Sequence, residues 1–113
     1  MRDSDVLDAA ADVVVNGWTT DSYAKNKDGK PVHVMHEDAV CFCTVGAVAR
    51  VLGGSVKAAD AVLERWLVPE LEKVRRQRTS ARSWNDDHNN PGNVASCLQR
   101  AATRAKTEET KTP

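Results

Sequence analysis

The chain has 113 residues, enough for one hydrophobic core and too few for two. Its 16 basic and 16 acidic residues give a formal net charge of zero, so the composition provides no general attraction to nucleic acid or to an anionic membrane. The charge is uneven along the chain. Residues 1–42 contain 4 basic and 8 acidic residues, for a net charge of −4, and residues 43–113 contain 12 basic and 8 acidic residues, for +4.

No stretch approaches the roughly 20 apolar residues that a membrane span requires. The opening residues MRDSDVLDAAADVVV are acidic where those of a signal peptide would be basic. The three cysteines lack paired spacings and are typical of free thiols in a reducing compartment. We therefore expect a cytoplasmic protein with a single helical domain over residues 3–106 and a disordered tail over residues 107–113.

The first predicted helix begins at Ser4 as its N-cap and ends at Asn16. Apolar residues at three- and four-residue spacing give it one buried face, formed by Val6, Leu7, Ala10, Val13 and Val14. A β-hairpin is predicted next, with strands over residues 18–24 and 32–35 and a polar turn centred on Asp28 and Gly29.

The second predicted helix follows Asp38 and covers AVCFCTVGAVARVL. Because this stretch is apolar nearly all the way round, it is typical of a buried central helix. Ser55 caps a long third helix, which Pro69 should kink or divide near Leu67. Its apolar stripe consists of Ala58, Ala59, Val62, Leu63, Trp66, Leu67, Leu71 and Val74.

A fourth helix is predicted over PGNVASCLQRAATRAK, with Asn90 as its N-cap and Pro91 at the first helical position. Together these patterns predict a mainly α fold. It would be a single small domain of about four helices around a buried central helix, with a small β-hairpin packed on one side.

Four potential zinc ligands lie in the stretch HVMHEDAVCFC: His33, His36, Cys41 and Cys43. Two helical cysteines at this spacing would point about 200° apart and could not bind one ion, whereas in an extended segment they would share a face. The helix prediction therefore favours buried free cysteines over a metal site, and we predict no cofactor.

A cysteine-dependent active site is a second hypothesis. Near a helix start the thiolate of Cys43 would be favoured by the helix dipole, and His88 with Asn85 or Asp86 could complete a Cys-His-Asn/Asp arrangement. A structural role is the competing interpretation. Cys43, Gly46, Ala47 and Arg50 lie on one helical stripe, where a glycine indicates close approach of another backbone.

The stretch SWNDDHNNPGNV also favours a structural role. Trp84 would anchor the segment in the core, and the Asn85 side chain would bond backbone groups of a turn. The carboxylates of Asp86 and Asp87 would precede the positive end of the fourth helix.

One basic run is the only feature typical of nucleic-acid binding. It comprises Lys73, Arg75, Arg76, Arg78 and Arg82. The run lacks interleaved aromatic residues for base stacking, and Glu70 and Glu72 lie beside it. A solvated helix end is therefore the favoured interpretation.

Trp18 after an apolar helix, Cys43-x-x-Gly46-Ala47 and Trp84-Asn85-Asp86 occur in this order. In this order and spacing they resemble an uncharacterised family of small proteins found in actinobacteria and their phages. The resemblance covers roughly residues 5 to 105. After Asp86 the chain departs from it, because relatives tend to show an arginine-threonine pair where this chain has DHNNPG. The resemblance implies a shared fold and an actinobacterial or phage context, and it supplies no catalytic residues.

The leading functional hypothesis is a small non-enzymatic binding module, phage-encoded or prophage-derived, that acts on a host protein in the cytoplasm. The alternatives are a cysteine-dependent hydrolase or transferase using Cys43 with His88 and Asn85 or Asp86, and nucleic-acid binding through residues 73–82. The residues expected to matter for binding are Cys43, Gly46, Arg50, Trp84, Asn85 and Asp86. The sequence does not predict the oligomeric state.

Overall fold

The computed structural model describes residues 1–87 and 89–111. Within that part of the chain it contains six helices and one two-stranded antiparallel sheet. In chain order, the elements are α1 (Asp3–Asn16), β1 (Ala24–Lys25), β2 (Cys41–Phe42), α2 (Thr44–Val51), α3 (Val56–Trp66), α4 (Val68–Arg75), α5 (Ala81–Asp86) and α6 (Pro91–Lys111). The predicted mainly α fold with a small hairpin is confirmed.

The core forms where α1 packs along α6 and where α2 packs against α1, α3 and α5. Helix α2 is the buried central helix that its apolar sequence predicts, since every residue from Thr44 to Ala49 is buried. Helix α6 contributes a continuous buried face, which follows the three- and four-residue spacing of an amphipathic helix. Its members are Val94, Ala95, Leu98, Ala101, Ala102 and Ala105.

Helix α2 begins later than its sequence predicts. Cys41 and Phe42 form β2, which pairs with Lys25 and Ala24 of β1, and the helix starts only at Thr44. A short, uniformly apolar run has no period that separates a buried strand from a buried helix. The prediction that Cys41 and Cys43 are both helical is therefore wrong.

The hairpin prediction is right in its turn and wrong in most of both strands. Of residues 18–24 only Ala24 lies in a strand, β1, and residues 32–35 form no strand. Asn26 N–H donates to the Lys30 carbonyl at 2.9 Å, which closes the predicted turn around Gly29. The returning segment makes one isolated bridge, between Lys25 and Pro31. Beyond it, His33 Nδ1 accepts a hydrogen bond from the backbone two residues later, and this local bond favours a turn over a strand ladder.

Helix ends differ in how well the sequence predicts them. Ser55 caps α3 by accepting from Ala58 N–H at 3.0 Å, and Asn90 caps α6 by accepting from Asn93 N–H at 2.8 Å, both as predicted. The predicted long third helix divides at Leu67 into α3 and α4, because Pro69 lies in the first turn of α4 and has no N–H to continue α3.

One contact, between Ser4 and Glu109, corrects two predictions: the N-cap at Ser4 and the disordered tail. Helix α1 begins at Asp3 with Arg2 as its N-cap, and Ser4 is buried. Its hydroxyl donates to Glu109 at 2.7 Å and its N–H donates to the same carboxylate at 3.2 Å. Helix α6 therefore continues to Lys111, and only residues 112 and 113 of the predicted tail lie outside the described residues.

Candidate functional site

Asn85 lies at the centre of the two sequence motifs. It is on α5, which Ser80 starts by accepting from Ser83 N–H, and it is 0% exposed. Its carboxamide oxygen accepts from the Trp18 indole at 2.8 Å, and also from the N–H and the hydroxyl of Thr44 at 2.9 and 2.7 Å. Its amide nitrogen donates to the Thr19 carbonyl at 3.1 Å and to Asp86 Oδ1 at 3.0 Å.

These bonds join three segments that are distant in the sequence: the segment after α1, the first turn of α2, and α5. We call this set the Asn85 clasp, and it consists of Trp18, Thr19, Thr44, Asn85 and Asp86. Every donor and acceptor of the Asn85 side chain is used inside the protein, as a buried amide requires. The predicted turn-like bonding of Asn85 is therefore replaced by long-range bonds, and α5 is a helix rather than a loop.

Cys43 is the N-cap of α2. Its sulfur accepts from Gly46 N–H at 3.3 Å, so it fills the place that a serine or aspartate oxygen usually takes at a helix start. The residue is 3% exposed. Burial raises the pKa of the Cys43 thiol above its ordinary value of 9.0, with a smaller contribution from the Asp86 carboxylate, and the bond from Gly46 N–H only partly opposes this. The buried thiol therefore favours its neutral form.

Gly46 lies where α2 meets the backbone of Tyr23. A Cβ atom at this position would be 1.8 Å from the Tyr23 carbonyl oxygen, and that same oxygen accepts from Cys43 N–H at 3.2 Å. The close backbone approach predicted from a glycine inside the helix is confirmed. Cys43 and Gly46 thus hold the segment before β1 against the start of α2.

An open cleft lies over Cys43, between the segment before β1 and α5. We call it the Cys43 cleft; it encloses about 520 Å³ and is lined by Asp21, Tyr23, Val32, Cys43, Arg82 and Asp86, among others. The Arg82 guanidinium lies 4.9 Å from the centre of the Tyr23 ring, a cation–π arrangement. Asp21 adopts a left-handed backbone with φ of 66°, and its N–H donates to Asp86 Oδ1 at 3.2 Å.

A second depression lies between α4 and α6, on the other side of α5. We call it the arginine groove; it encloses about 290 Å³ and is lined by Leu71, Val74, Arg75, Trp84, Arg100 and Arg104, among others. Val74, which the sequence places in the buried stripe of the third helix, is instead 80% exposed. Its position is an error of the stripe prediction, because the last turn of α4 extends past the core and borders the groove.

The basic run does not form one face. Arg75 pairs with Asp87 at 2.7 Å, and Arg76 takes a left-handed backbone that ends α4. Arg82 faces the Cys43 cleft. Lys73 and Arg78 are exposed. The change of direction at Arg76 divides the positive charges between two sides of α5.

The remaining candidates have local roles. Arg50 donates to the Val34 carbonyl at 2.7 Å and to the His36 carbonyl at 3.2 Å, so it holds the segment before β2. Among the residues that the structure describes, no group of three or more His, Cys, Asp or Glu side chains could hold a metal ion, and the four potential zinc ligands form no such group. His88 lies outside the described residues, so the Cys43–His88 arrangement stays a hypothesis.

The sequence prediction missed three residues that shape these sites. Tyr23 lies in the predicted first strand and has no predicted site role, although it borders the Cys43 cleft. Arg100 and Arg104 of α6 border the arginine groove. Arg100 and Arg104 are four residues apart, and Cys97 is three residues before Arg100. This spacing places Cys97, Arg100 and Arg104 on one helical face. That spacing is the signal that could have found them.

Comparison with known proteins places the chain in an uncharacterised family, as expected. A family model covers residues 1–104, which include both the Asn85 clasp and the residues of both depressions. No curated protein and no solved structure gave a significant match. No helix among residues 1–87 and 89–111 has the length and apolar character to cross a membrane. The chain belongs to DUF6197, a family of unknown function.

Proposed function

We propose that this protein is a small non-enzymatic binding module that acts on another protein. In this proposal it is phage-encoded or prophage-derived and works in the cytoplasm of an actinobacterial host. The phage and host context is supported by the resemblance of the Cys43-x-x-Gly46-Ala47 and Trp84-Asn85-Asp86 motifs to actinobacterial and phage proteins. The binding role is supported by the use that the fold makes of those motifs.

One observation carries the binding role: the side chains of Cys43 and Asn85, the chemically interesting residues of the two motifs, are buried. The Asn85 amide has all of its groups bonded within the protein, and the Cys43 sulfur accepts a helix-capping hydrogen bond. Beside these motifs the fold presents to solvent the Cys43 cleft and the arginine groove, which are bordered by charged and apolar side chains. Such surfaces suit recognition of a partner.

The cysteine-dependent enzyme is the second candidate, favoured by the position of Cys43 beneath an open cleft and at a helix N-terminus. It requires a reactive thiolate. The burial that raises the pKa of the Cys43 thiol opposes this requirement. The Asn85 side chain could orient a histidine only by giving up a bond to Trp18, Thr19, Thr44 or Asp86.

Nucleic-acid binding receives less support. Phosphate recognition needs several cations along one face, whereas Arg75 is paired with Asp87 and Arg82 lies on Tyr23 in a different depression. The separation of these two arginines favours two small charged surfaces over one extended footprint.

Affinity capture tests the binding role. Tagged protein would be incubated with actinobacterial lysate, and a captured candidate would be purified and titrated against the untagged chain. We expect saturable binding of one partner protein, without covalent change in either chain by mass spectrometry. No reproducible partner in replicate captures, or a chemically modified partner, would contradict the proposal.

A further inference from the structure

We propose that the arginine groove binds an acidic, amphipathic segment of a partner protein, with an apolar side chain inserted between α4 and α6. This inference rests on the proposed binding function and names its surface and the chemistry of its partner. The groove has an exposed apolar edge, a positive charge and one weak internal contact that a partner could replace.

The apolar edge is formed by the last turn of α4. Val74 is 80% exposed there, while Leu71, one turn earlier, and Trp84 of α5 are each 7% exposed. The exposed valine therefore continues the buried apolar surface of Leu71 and Trp84 out to solvent. An apolar side chain from a partner could extend that surface and remove Val74 from water, which favours association.

The charge of the groove is positive. Arg75, Arg100 and Arg104 line it together with one carboxylate, that of Glu70. Glu70 is paired with Arg104 at 3.6 Å, and Asp87 is paired with Arg75 at 2.7 Å. After these pairings the groove keeps a net positive charge, to which exposed Lys73 and Arg76 add at the same end. Complementary charge is what steers and orients a protein partner.

Arg100 is the cation best placed to meet an incoming carboxylate. Its guanidinium donates to the Cys97 sulfur at 3.1 Å, and a thiol is a weak acceptor. A carboxylate would accept two parallel hydrogen bonds from the same guanidinium and add charge attraction. Binding of an acidic segment is favoured because Arg100 would exchange the weak Cys97 thiol acceptor for a carboxylate.

Packing leaves the groove open to such a segment. Helix α6 packs chiefly on α1, whereas α4 packs chiefly on α3. The facing sides of α4 and α6 are bridged by the Arg104–Glu70 ion pair. An amphipathic helix laid along the groove would contact both helices, as in the helix-in-groove mode of recognition.

An acidic protein segment fits these features better than nucleic acid. Trp84 is nearly fully buried and cannot stack on a base. A nucleic-acid backbone needs several cations along one face, whereas Arg75 and Arg104 are already paired with Asp87 and Glu70. A protein segment, in contrast, can place separate carboxylates on Arg100 and at the α4 end and an apolar side chain against Val74.

The test uses a fluorescein-labelled helical peptide of about four turns, with glutamates on one face and leucines on the other, and a control peptide with lysine at every glutamate. We expect saturable binding of the acidic peptide with a Kd of about 100 µM or tighter. The basic peptide should not bind. No binding of the acidic peptide, or equal binding of both, would overturn the proposal.

Matched variants locate the contact. Arg100→Glu should weaken peptide binding by at least about tenfold, and Val74→Ser by about fivefold. Lys106→Glu is the control, because it makes the same change of charge on the same helix but lies outside the groove. Thermal unfolding should show that all three variants keep the wild-type midpoint. If Lys106→Glu weakens binding as much as Arg100→Glu, the effect is one of net charge and the groove is not the site.

Three further outcomes distinguish this proposal from the alternative binding sites and ligands. A partner captured from lysate that binds Arg100→Glu and Val74→Ser as tightly as wild type would overturn the groove while leaving the binding function standing. Displacement of the acidic peptide by a mixed-sequence DNA strand of equal charge would overturn it in favour of general polyanion binding. A concentration-dependent dimer that Arg100→Glu abolishes would assign the groove to a second copy of the chain.

Discussion

The two sides of helix α5 use their residues in opposite ways. On one side, Asn85 is completely buried and its carboxamide makes five hydrogen bonds, to three separate segments of the chain. On the other side, Trp84 borders a groove that ends at an exposed valine, Val74. The difference shows that neighbouring residues of one motif, Trp84 and Asn85, serve two surfaces, one closed by the fold and one left open.

This contrast has a physical basis. A buried polar group stabilises a fold only when all of its hydrogen bonds are made, and the Asn85 side chain has no bonding capacity left for a ligand. An exposed apolar side chain, in contrast, is a source of binding free energy that folding has not used. On this contrast rests our proposal that the clasp serves stability and the groove serves recognition.

The largest expected effect is at the clasp. Asn85→Ala would leave the Trp18 indole and the two donors of Thr44 without their acceptor in a buried site. We expect a loss of about 3–5 kcal/mol in the free energy of unfolding, measured by urea denaturation. Asn16→Ala is the control, because this exposed asparagine bonds only within its own helix and should change stability by less than about 0.5 kcal/mol. Equal effects of the two substitutions would remove the distinction between the two regions.

Gly46→Ala should have the next largest effect. The added methyl group would meet the Tyr23 carbonyl at 1.8 Å, so the segment before β1 must move away from α2. We expect a loss of about 2–3 kcal/mol in the free energy of unfolding. Gly92→Ala, where the nearest atom would be 3.4 Å away, is the matched control and should not lower stability. A wild-type unfolding midpoint for Gly46→Ala would show that the approach is not tight.

The pH dependence of stability tests the burial of Cys43. Because the pKa of this thiol is raised in the folded protein, the unfolded chain loses its thiol proton first as pH increases. The stability that the protonated thiol contributes is fully present below the ordinary thiol pKa of 9.0 and is lost as pH rises from there toward the folded pKa.

Cys43→Ser isolates this contribution, since serine keeps a capping oxygen and does not titrate in that range. We expect wild type to lose stability relative to Cys43→Ser between neutral pH and about pH 10. A stability difference between the two proteins that stays constant over this interval would show that the thiol is not desolvated.

The smallest expected effect on stability is at the groove. Val74→Ser removes an apolar side chain that is 80% exposed, so the free energy of unfolding should change by less than about 0.5 kcal/mol. Differential scanning calorimetry would measure it. A loss comparable with that of Gly46→Ala would mean that Val74 belongs to the core and that the groove is not an available surface.

The sequence predicts this fold best where local rules apply. The caps at Ser55 and Asn90 and the division at Pro69 follow from single residues, and all three are confirmed. The start of α2 is not predictable in this way. An apolar run such as AVCFC can be a strand or a helix, and here its pairing with β1 decides.

The candidate site depends on contacts that no local pattern contains. Trp18 and Asn85 are 67 positions apart and meet through one hydrogen bond, and Ser4 meets Glu109 at the far end of α6. The motifs indicate that Cys43, Gly46 and Asn85 matter, but only their relative placement shows that they hold segments together. The predicted burial of Val74 is wrong for the same reason, because helical spacing does not show where the neighbouring helices end.

The measurement that tests this account most directly is the native-state labelling rate of Cys43. In a Cys41→Ser, Cys97→Ser variant, the buried Cys43 is the remaining thiol, and its reaction with a disulfide reagent would be compared in native buffer and in urea at one pH. If the motifs are structural, native labelling should be at least about a hundredfold slower than labelling of the unfolded chain. Native labelling as fast as, or faster than, that of the unfolded chain would contradict the account and make Cys43 a reactive nucleophile.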